Sequence, residues 1–177
     1  MLLETEDGMV IMDPHAAHER VQFERFMSES SKGAVQTQGL LVTESVTLTP
    51  SDALRVRNNI ETLRGMGIGI AEFGGDSFVV DALPLCLAGT AADLLLKDIA
   101  AGLEEAGSRG SSAAKQEIIA QAACKASVRA RDRMNLAEIE QLVVDLAKTE
   151  MPYTCPHGRP TLIYTSFTEL RRKFGRG

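Results

Sequence analysis

Leu2-Leu3-Glu4-Thr5-Glu6-Asp7-Gly8-Met9-Val10-Ile11-Met12-Asp13-Pro14-His15 is the stretch from which the rest of the chain is read. Two short apolar runs, Leu2–Glu6 and Met9–Met12, flank Asp7-Gly8, a pair suited to a tight hairpin turn. The second run stops at Asp13-Pro14. Asp accepts hydrogen bonds from the first-turn N–H groups, and Pro is preset for the first helical position. A helix is therefore predicted from here to about Met27.

Beyond that helix, the polar, Gly-terminated Ser28–Gly33 reads as a link. Leu40–Leu48 is rich in Val, Leu and Thr and reads as a strand. Pro50-Ser51-Asp52 opens a helix to about Arg64, with Leu54, Val56, Ile60 and Leu63 on its apolar side. Ile68–Phe73 and Ser77–Leu83 flank Gly74-Gly75-Asp76 as a second hairpin. Helices are expected over Ala91–Glu105, Ala113–Arg131 and Leu136–Thr149, with a linker-like Gly107–Ser112 before the second of them. Leu162–Thr165 reads as a strand and Phe167–Phe174 as a closing helix. Strands and helices alternate without a run of βαβ units. This order predicts an α+β fold in two subdomains, the middle one inserted into the other. The expected boundaries are 1–30 with 116–177 for the outer subdomain and 31–115 for the inserted one.

The 177 residues are 44% hydrophobic and 24% charged, enough apolar material for a sizeable core. No run approaches the ~20 apolar residues of a membrane span. Glu4, Glu6 and Asp7 follow Met1-Leu2-Leu3 at once, which is not the pattern of a signal peptide. Three cysteines, Cys86, Cys124 and Cys155, do not form a disulfide framework and point to a reducing, cytosolic setting. The formal charge of −5 is asymmetric: residues 1–108 carry 7 Lys/Arg against 17 Asp/Glu, and residues 109–177 carry 12 against 7. The basic last third could face phosphate or simply water. The pI near 5.3 argues against strong non-specific DNA binding by this chain alone.

Two segments concentrate groups able to do chemistry. Asp13-Pro14-His15-Ala16-Ala17-His18-Glu19 holds four possible metal ligands in seven residues. On a helix His15 and Glu19, four apart, share a face, and Asp13 at the cap reaches toward the same end. An Asp before Pro is also an ordinary cap, and His15–Glu19 also reads as an exposed polar pair. Glu24, roughly 140° around the helix from Glu19, reads as a surface carboxylate or one supporting a ligand. Cys155-Pro156-His157-Gly158-Arg159-Pro160 sets a thiol and an imidazole two apart on a proline-stiffened loop, half of a transition-metal site or a plain rigid turn. Cys124, among alanines, reads as a small buried side chain, and Cys86 as core. The zinc-protease motifs, the phosphate-binding loop and the dinucleotide fingerprint do not match, and no Ser-His-Asp nucleophile arrangement is signalled.

Taken together, Asp13 to Glu19 with Glu24, Ala123-Cys124-Lys125, Cys155 to Pro160 and Phe174-Gly175-Arg176 resemble the C-terminal domain of the MutL family of DNA mismatch-repair proteins, in its endonuclease-bearing form. The family's first motif is Asp-Gln-His-Ala, two residues, Glu, four residues, Glu. Asp13, His15, Ala16, Glu19 and Glu24 fall on it, with Pro14 in place of Gln. The resemblance runs over nearly the whole chain in the same order. It implies a dimerisation subdomain built from both chain ends with a regulatory subdomain inserted. It also implies an N-terminal ATPase domain that this chain lacks, so the chain reads as part of a longer protein.

The resemblance further implies that Asp13, His15, Glu19, Cys124, Cys155 and His157 gather around one or two metal ions. Zn²⁺ suits the Cys and His ligands in a regulatory or structural role, and Mn²⁺ or Mg²⁺ suits the carboxylates in catalysis. The reaction expected is metal-assisted hydrolysis of one DNA strand, with Asp13 and Glu19 holding the hydrolytic ion. Arg159 and the Arg129, Arg131, Arg133 series would meet the DNA backbone, or else pair with carboxylates. A homodimer is expected, together with double-stranded DNA and, through the full-length chain, the mismatch-recognition protein. A replication sliding clamp would be held by Gln38, Leu40 and Leu41. That segment also reads as the first strand of the inserted subdomain, with Leu40 and Val42 facing its core. The setting implied is bacterial, cytoplasmic and nucleoid-associated, with no membrane. The competing reading is a non-catalytic dimerisation and clamp-docking module with a structural zinc. A small metal-dependent transcription regulator ranks last, because no helix-turn-helix with a basic recognition helix is signalled.

Overall fold

The computed structural model describes residues 1–106, 111–129 and 134–176. In chain order the first elements are β1 (Leu2–Glu4), β2 (Gly8–Met12), α1 (Pro14–Ser31), β3 (Thr37–Thr47), α2 (Pro50–Arg57), α3 (Ile60–Gly65), β4 (Gly69–Glu72) and β5 (Ser77–Pro84). After a 3-10 turn at Leu85–Leu87 come α4 (Ala92–Ala106), α5 (Ser112–Arg129), α6 (Leu136–Leu146), β6 (Leu162–Ser166) and α7 (Phe167–Lys173). The fold is α+β, with two small antiparallel sheets. Packing divides it into two compact units, Met1–Val21 with Arg133–Gly177, and Gln22–Asp132.

In the chain-end unit the sheet order is β1-β2-β6. The turn after β1 is closed by the Thr5 N–H donating to Gly8 O at 3.0 Å. Gly8 is required there: a Cβ would lie 2.6 Å from the Tyr164 ring on β6. Leu2 pairs with Ile11, and Ile11 with Ile163, so these three side chains form one row on one face. They are 64%, 43% and 51% exposed, respectively. Val10, Met12 and Leu162 lie on the opposite face, where Met12 is buried with Ala17, Leu142 and Leu146. A capping box starts α6: Asn135 accepts from the Glu138 N–H, and Glu138 accepts from the Asn135 N–H.

The inserted unit has sheet order β3-β5-β4. Its core includes Phe26, Leu63, Ile68, Phe78, Leu83, Leu95, Ile99 and Ile119, all at most 1% exposed. Helices α4 and α5 pack closely: a Cβ on Gly102 would meet Ile118 at 3.0 Å, and Ala120 and Ala123 are fully buried. Between Gly39 and Glu44 the β3–β5 register breaks. Leu40 still packs on the core, but Leu41 and Val42 are exposed. Regular alternation would have buried Val42 beside Leu40; the irregularity turns it out.

Other sequence expectations need correction. α1 runs to Ser31 rather than Met27, through most of the expected link. Its end is set by Gly33, whose φ of 62° lets the Gly33 N–H donate to Ser30 O and the Ala34 N–H to Glu29 O. The single helix expected over Pro50–Arg64 is two, because the Asn59 side chain donates to Arg55 O at 2.8 Å while its own N–H turns to Val56 O. α6 stops at Leu146, where the Thr149 hydroxyl and N–H both donate to Leu146 O. Cys86 is only partly buried, at the margin of the core. The last turns of α1 and the whole of α5 pack with the inserted unit, because Phe23, Phe26 and Met27 and Ala120, Ala122, Ala123 and Ala126 join its core. The sequence expectation places α1 up to residue 30 and α5 from residue 116 with the chain ends. Arg131, Arg133 and most of the linker-like Gly107–Ser112 lie outside the described residues.

Candidate metal centre

Helix α1 starts as its sequence dictates. Asp13 Oδ1 accepts from the N–H groups of His15 at 3.0 Å and Ala16 at 3.2 Å, a side-chain cap. The Asp13 N–H donates to Thr161 O at 2.9 Å, tying this end to the chain before β6. Between residues 152 and 161 that chain makes a small hairpin. Thr154 bridges Pro160, the Gly158 N–H donates to Cys155 O, and the Cys155 N–H donates to Arg159 O. Gly158, at φ 81°, supplies the left-handed residue such a turn needs. Buried Arg20 on α1 donates from Nε to Thr154 O at 2.6 Å, and the Thr161 hydroxyl donates to Pro152 O.

The loop thereby brings Cys155 and His157 to Glu19. One ligand atom from each of the three lies within 4.8 Å of the other two. Glu19 and Cys155 are 4% and 1% exposed. His157 Nδ1 is 3.2 Å from Glu19 Oε2. An ionised carboxylate only accepts, so Nδ1–H is the donor, and in the neutral ring Nε2 keeps its lone pair. Arg159 Nη2 donates to Oε1 at 2.9 Å and Oε2 at 2.8 Å of the same carboxylate. Burial by itself would raise the Glu19 pKa. The hydrogen bonds from His157 and Arg159, with the Arg159 charge, outweigh it and hold Glu19 below the usual carboxylate range. Reciprocally, Arg159 is pushed above its ordinary value by Glu19 and Cys155. A thiol, an imidazole and a carboxylate converging on one point fit a transition-metal ion of zinc type, as three of the four ligands a tetrahedral site takes.

The remaining candidate residues are placed as follows. Asp13 and His15 are about half exposed at the start of α1, their side chains 3.9 Å apart, and outside the three-residue cluster. Glu24 is half-buried further along α1, in the part that belongs to the inserted unit. Cys124 is buried on α5 of the inserted unit, and the three cysteines form no disulfide. Gln38, Leu40 and Leu41 lie on β3 of that unit, with Gln38 and Leu41 exposed. Phe174 and Arg176, with Phe167, Leu170 and Arg171, line a surface groove of about 450 Å³. Sequence reasoning gives Arg20 and Thr161 no role, and it leaves Arg159 between the DNA backbone and a carboxylate without naming Glu19 as that carboxylate. Their partners lie more than 130 residues away or on the far side of a turn. A positive residue directly after a candidate ligand was the one available signal.

Fold and cluster define a class: a two-unit α+β domain whose chain-end unit carries a Glu–Cys–His group that could hold a metal ion. Residues 1–134 match the family model described as the MutL C terminal dimerisation domain. The chain is 38% identical over 177 residues to the DNA mismatch repair protein MutL of Caulobacter vibrioides (strain NA1000 / CB15N), covering 99% of this chain and 28% of that protein. It is 36% identical over 176 residues to the protein of that name from Clostridium botulinum (strain Loch Maree / Type A3), with 99% and 26% covered. To that of Thermoanaerobacter pseudethanolicus it is 38% identical over 176 residues, with 99% and 28% covered. The chain belongs to the MutL C-terminal domain family. It spans little more than a quarter of the length of these curated relatives.

Proposed function

We propose that this chain is the DNA-nicking endonuclease domain of a mismatch-repair MutL protein, working as a homodimer. The observation that carries the reading is the convergence of buried Glu19 and Cys155 with exposed His157, Glu19 and His157 lying 138 residues apart in the chain. A divalent ion bound there supplies Lewis-acid activation for hydrolysis of a phosphodiester. Cys155 and His157 suit Zn²⁺; Glu19 and Asp13 suit Mn²⁺ or Mg²⁺; His15 and Cys124 complete the proposed ligand set. Thr161 and Arg20 fix the loop against α1 and so keep the donors in place. Arg159, half exposed beside the cluster, and Arg131 would take up DNA phosphate.

The row Leu2, Ile11 and Ile163 supplies an apolar face for a second copy, in line with the dimerisation named in the matching family. The chain-end unit would be the dimerisation and endonuclease part, and the inserted unit the regulatory part. Gln38, Leu40 and Leu41 would dock on the replication sliding clamp, Leu41 and Val42 being presented by the break in β3 register. The mismatch-recognition protein would act through the full-length chain, in the bacterial cytoplasm and at the nucleoid. Among the described residues no helix is long and apolar enough to cross a membrane.

Asp13→Asn tests the reading. Asn keeps the cap but removes the charge a hydrolytic cation needs. If that charge contributes several kcal/mol to the transition state, Mn²⁺-dependent nicking of supercoiled plasmid falls by at least about 100-fold, while thermal stability is nearly unchanged. The second reading, a non-catalytic module with structural zinc, is favoured by the capping role of Asp13. Bound zinc without nicking by the unmodified protein would decide for it.

A further inference from the structure

We propose that Arg159 is the resident counter-cation of the metal centre, and that a divalent ion binds by exchanging with its guanidinium. This rests on the reading of Glu19, Cys155 and His157 as metal ligands. A single nitrogen, Nη2, lies within 2.9 Å of both Glu19 oxygens. The carboxylate that would face an ion therefore already faces a cation. Glu19 explains why. Its side chain is only 6% exposed, and an ionised carboxylate so buried is costly without a partner. The Arg159 guanidinium supplies that partner.

An ion and the guanidinium would compete for the same two oxygens, and their charges repel. Arg159 can leave at small cost, because its side chain is 55% exposed and it ends a turn at the surface. Its departure returns the fork to water beside the cluster, where phosphate would approach. Metal loading thus both fills the site and frees a phosphate-binding group.

The exchange makes Arg159 a competitor of the ion, whereas a purely structural arginine would support ion binding. Zinc affinity of the full chain is measured by competition with a chromophoric chelator at fixed pH, for wild type, Arg159→Ala, Arg159→Lys and Cys155→Ser. Cobalt substitution reports, by its thiolate-to-metal absorption, whether the ligand set is intact. The expected result is that Arg159→Ala binds zinc at least about tenfold tighter than wild type with an unchanged cobalt spectrum. Arg159→Lys, which keeps the charge without the planar fork, falls between the two. The metal-free Arg159→Ala melts lower than wild type, and zinc restores more of its stability. Unchanged or weaker zinc binding in both Arg159 variants, while wild type binds in a Cys155-dependent manner, overturns the exchange and leaves the metal site standing. Zinc binding that Cys155→Ser does not alter overturns the metal site itself, and the exchange with it.

Discussion

The inserted unit buries Phe26, Leu63, Phe78, Leu95 and Ile99 completely around a three-stranded sheet, whereas the apolar cluster of the chain-end unit has four buried residues, Met12, Ala17, Leu142 and Leu146. Its other buried groups include Glu19, Arg20 and Thr161, held by hydrogen bonds rather than apolar packing. Among the described residues, nine of the fifteen exposed large hydrophobics belong to this smaller unit, so apolar surface remains there for a partner. The difference teaches that one unit is stabilised by its own core, and that the other, under the function proposed above, would gain from a second copy and a bound ion. Thermodynamically, both act by mass action on the folded state.

The comparison can be broken first in the large core. Phe78→Ala leaves a cavity beneath the β3-β5-β4 sheet and is expected to cost about 3–5 kcal/mol in urea unfolding. Leu142→Ala, in the small cluster, is expected near the low end for its class, about 2 kcal/mol. Equal losses would mean that the two cores are equally self-sufficient.

Next in size is the exposed row. Ile11→Glu with Ile163→Glu places charge where a second copy would bury apolar surface, yet both sites are about half exposed within one chain, so the fold survives. Sedimentation should show the dimer weakened by at least about 100-fold, or about 2.7 kcal/mol. An intact dimer would move the interface elsewhere.

A smaller effect belongs to the polar cluster. Glu19 has a folded pKa below its ordinary value of 4.5, so its stabilisation is present above about pH 4.5 and is lost as pH falls through the lower folded value. Glu19→Gln in the metal-free protein should cost about 1 kcal/mol near pH 7, since Arg159 is half in water and screening weakens the pair. Unfolding near pH 3 should show a smaller gap between the two proteins. A gap that widens in acid would reverse the assigned sign.

Smallest is the β3 irregularity. Gln38→Ala with Leu41→Ala should change stability by less than about 0.5 kcal/mol, because both side chains are exposed. The same pair should remove stimulation of nicking by a loaded sliding clamp and leave basal Mn²⁺ nicking intact. Stimulation that survives would place the docking segment elsewhere.

Local chemistry made much of this legible before any coordinates. Asp7-Gly8, Asp13-Pro14 and Gly74-Gly75-Asp76 set backbone geometry by themselves, and the hairpins and the start of α1 stand where those residues put them. The divided α2–α3 was not legible, because Asn59 interrupts the helix through a side-chain bond that helix propensity does not register. The late end of α1 depends on Gly33 rather than on the polar Ser28–Ser31 before it. In the site, Cys155 and His157 were visible as a pair, but their meeting with Glu19 depends on Arg20 and Thr161 pinning a loop across the fold. Those contacts have no local signature.

The most direct measurement is zinc K-edge X-ray absorption on the zinc-loaded full chain, wild type beside Cys155→Ser. A metal centre at Glu19, Cys155 and His157 predicts sulfur scattering near 2.3 Å together with nitrogen or oxygen near 2.0–2.1 Å, and loss of one sulfur in the variant. A spectrum of nitrogen and oxygen alone, or one that Cys155→Ser leaves unchanged, would contradict it.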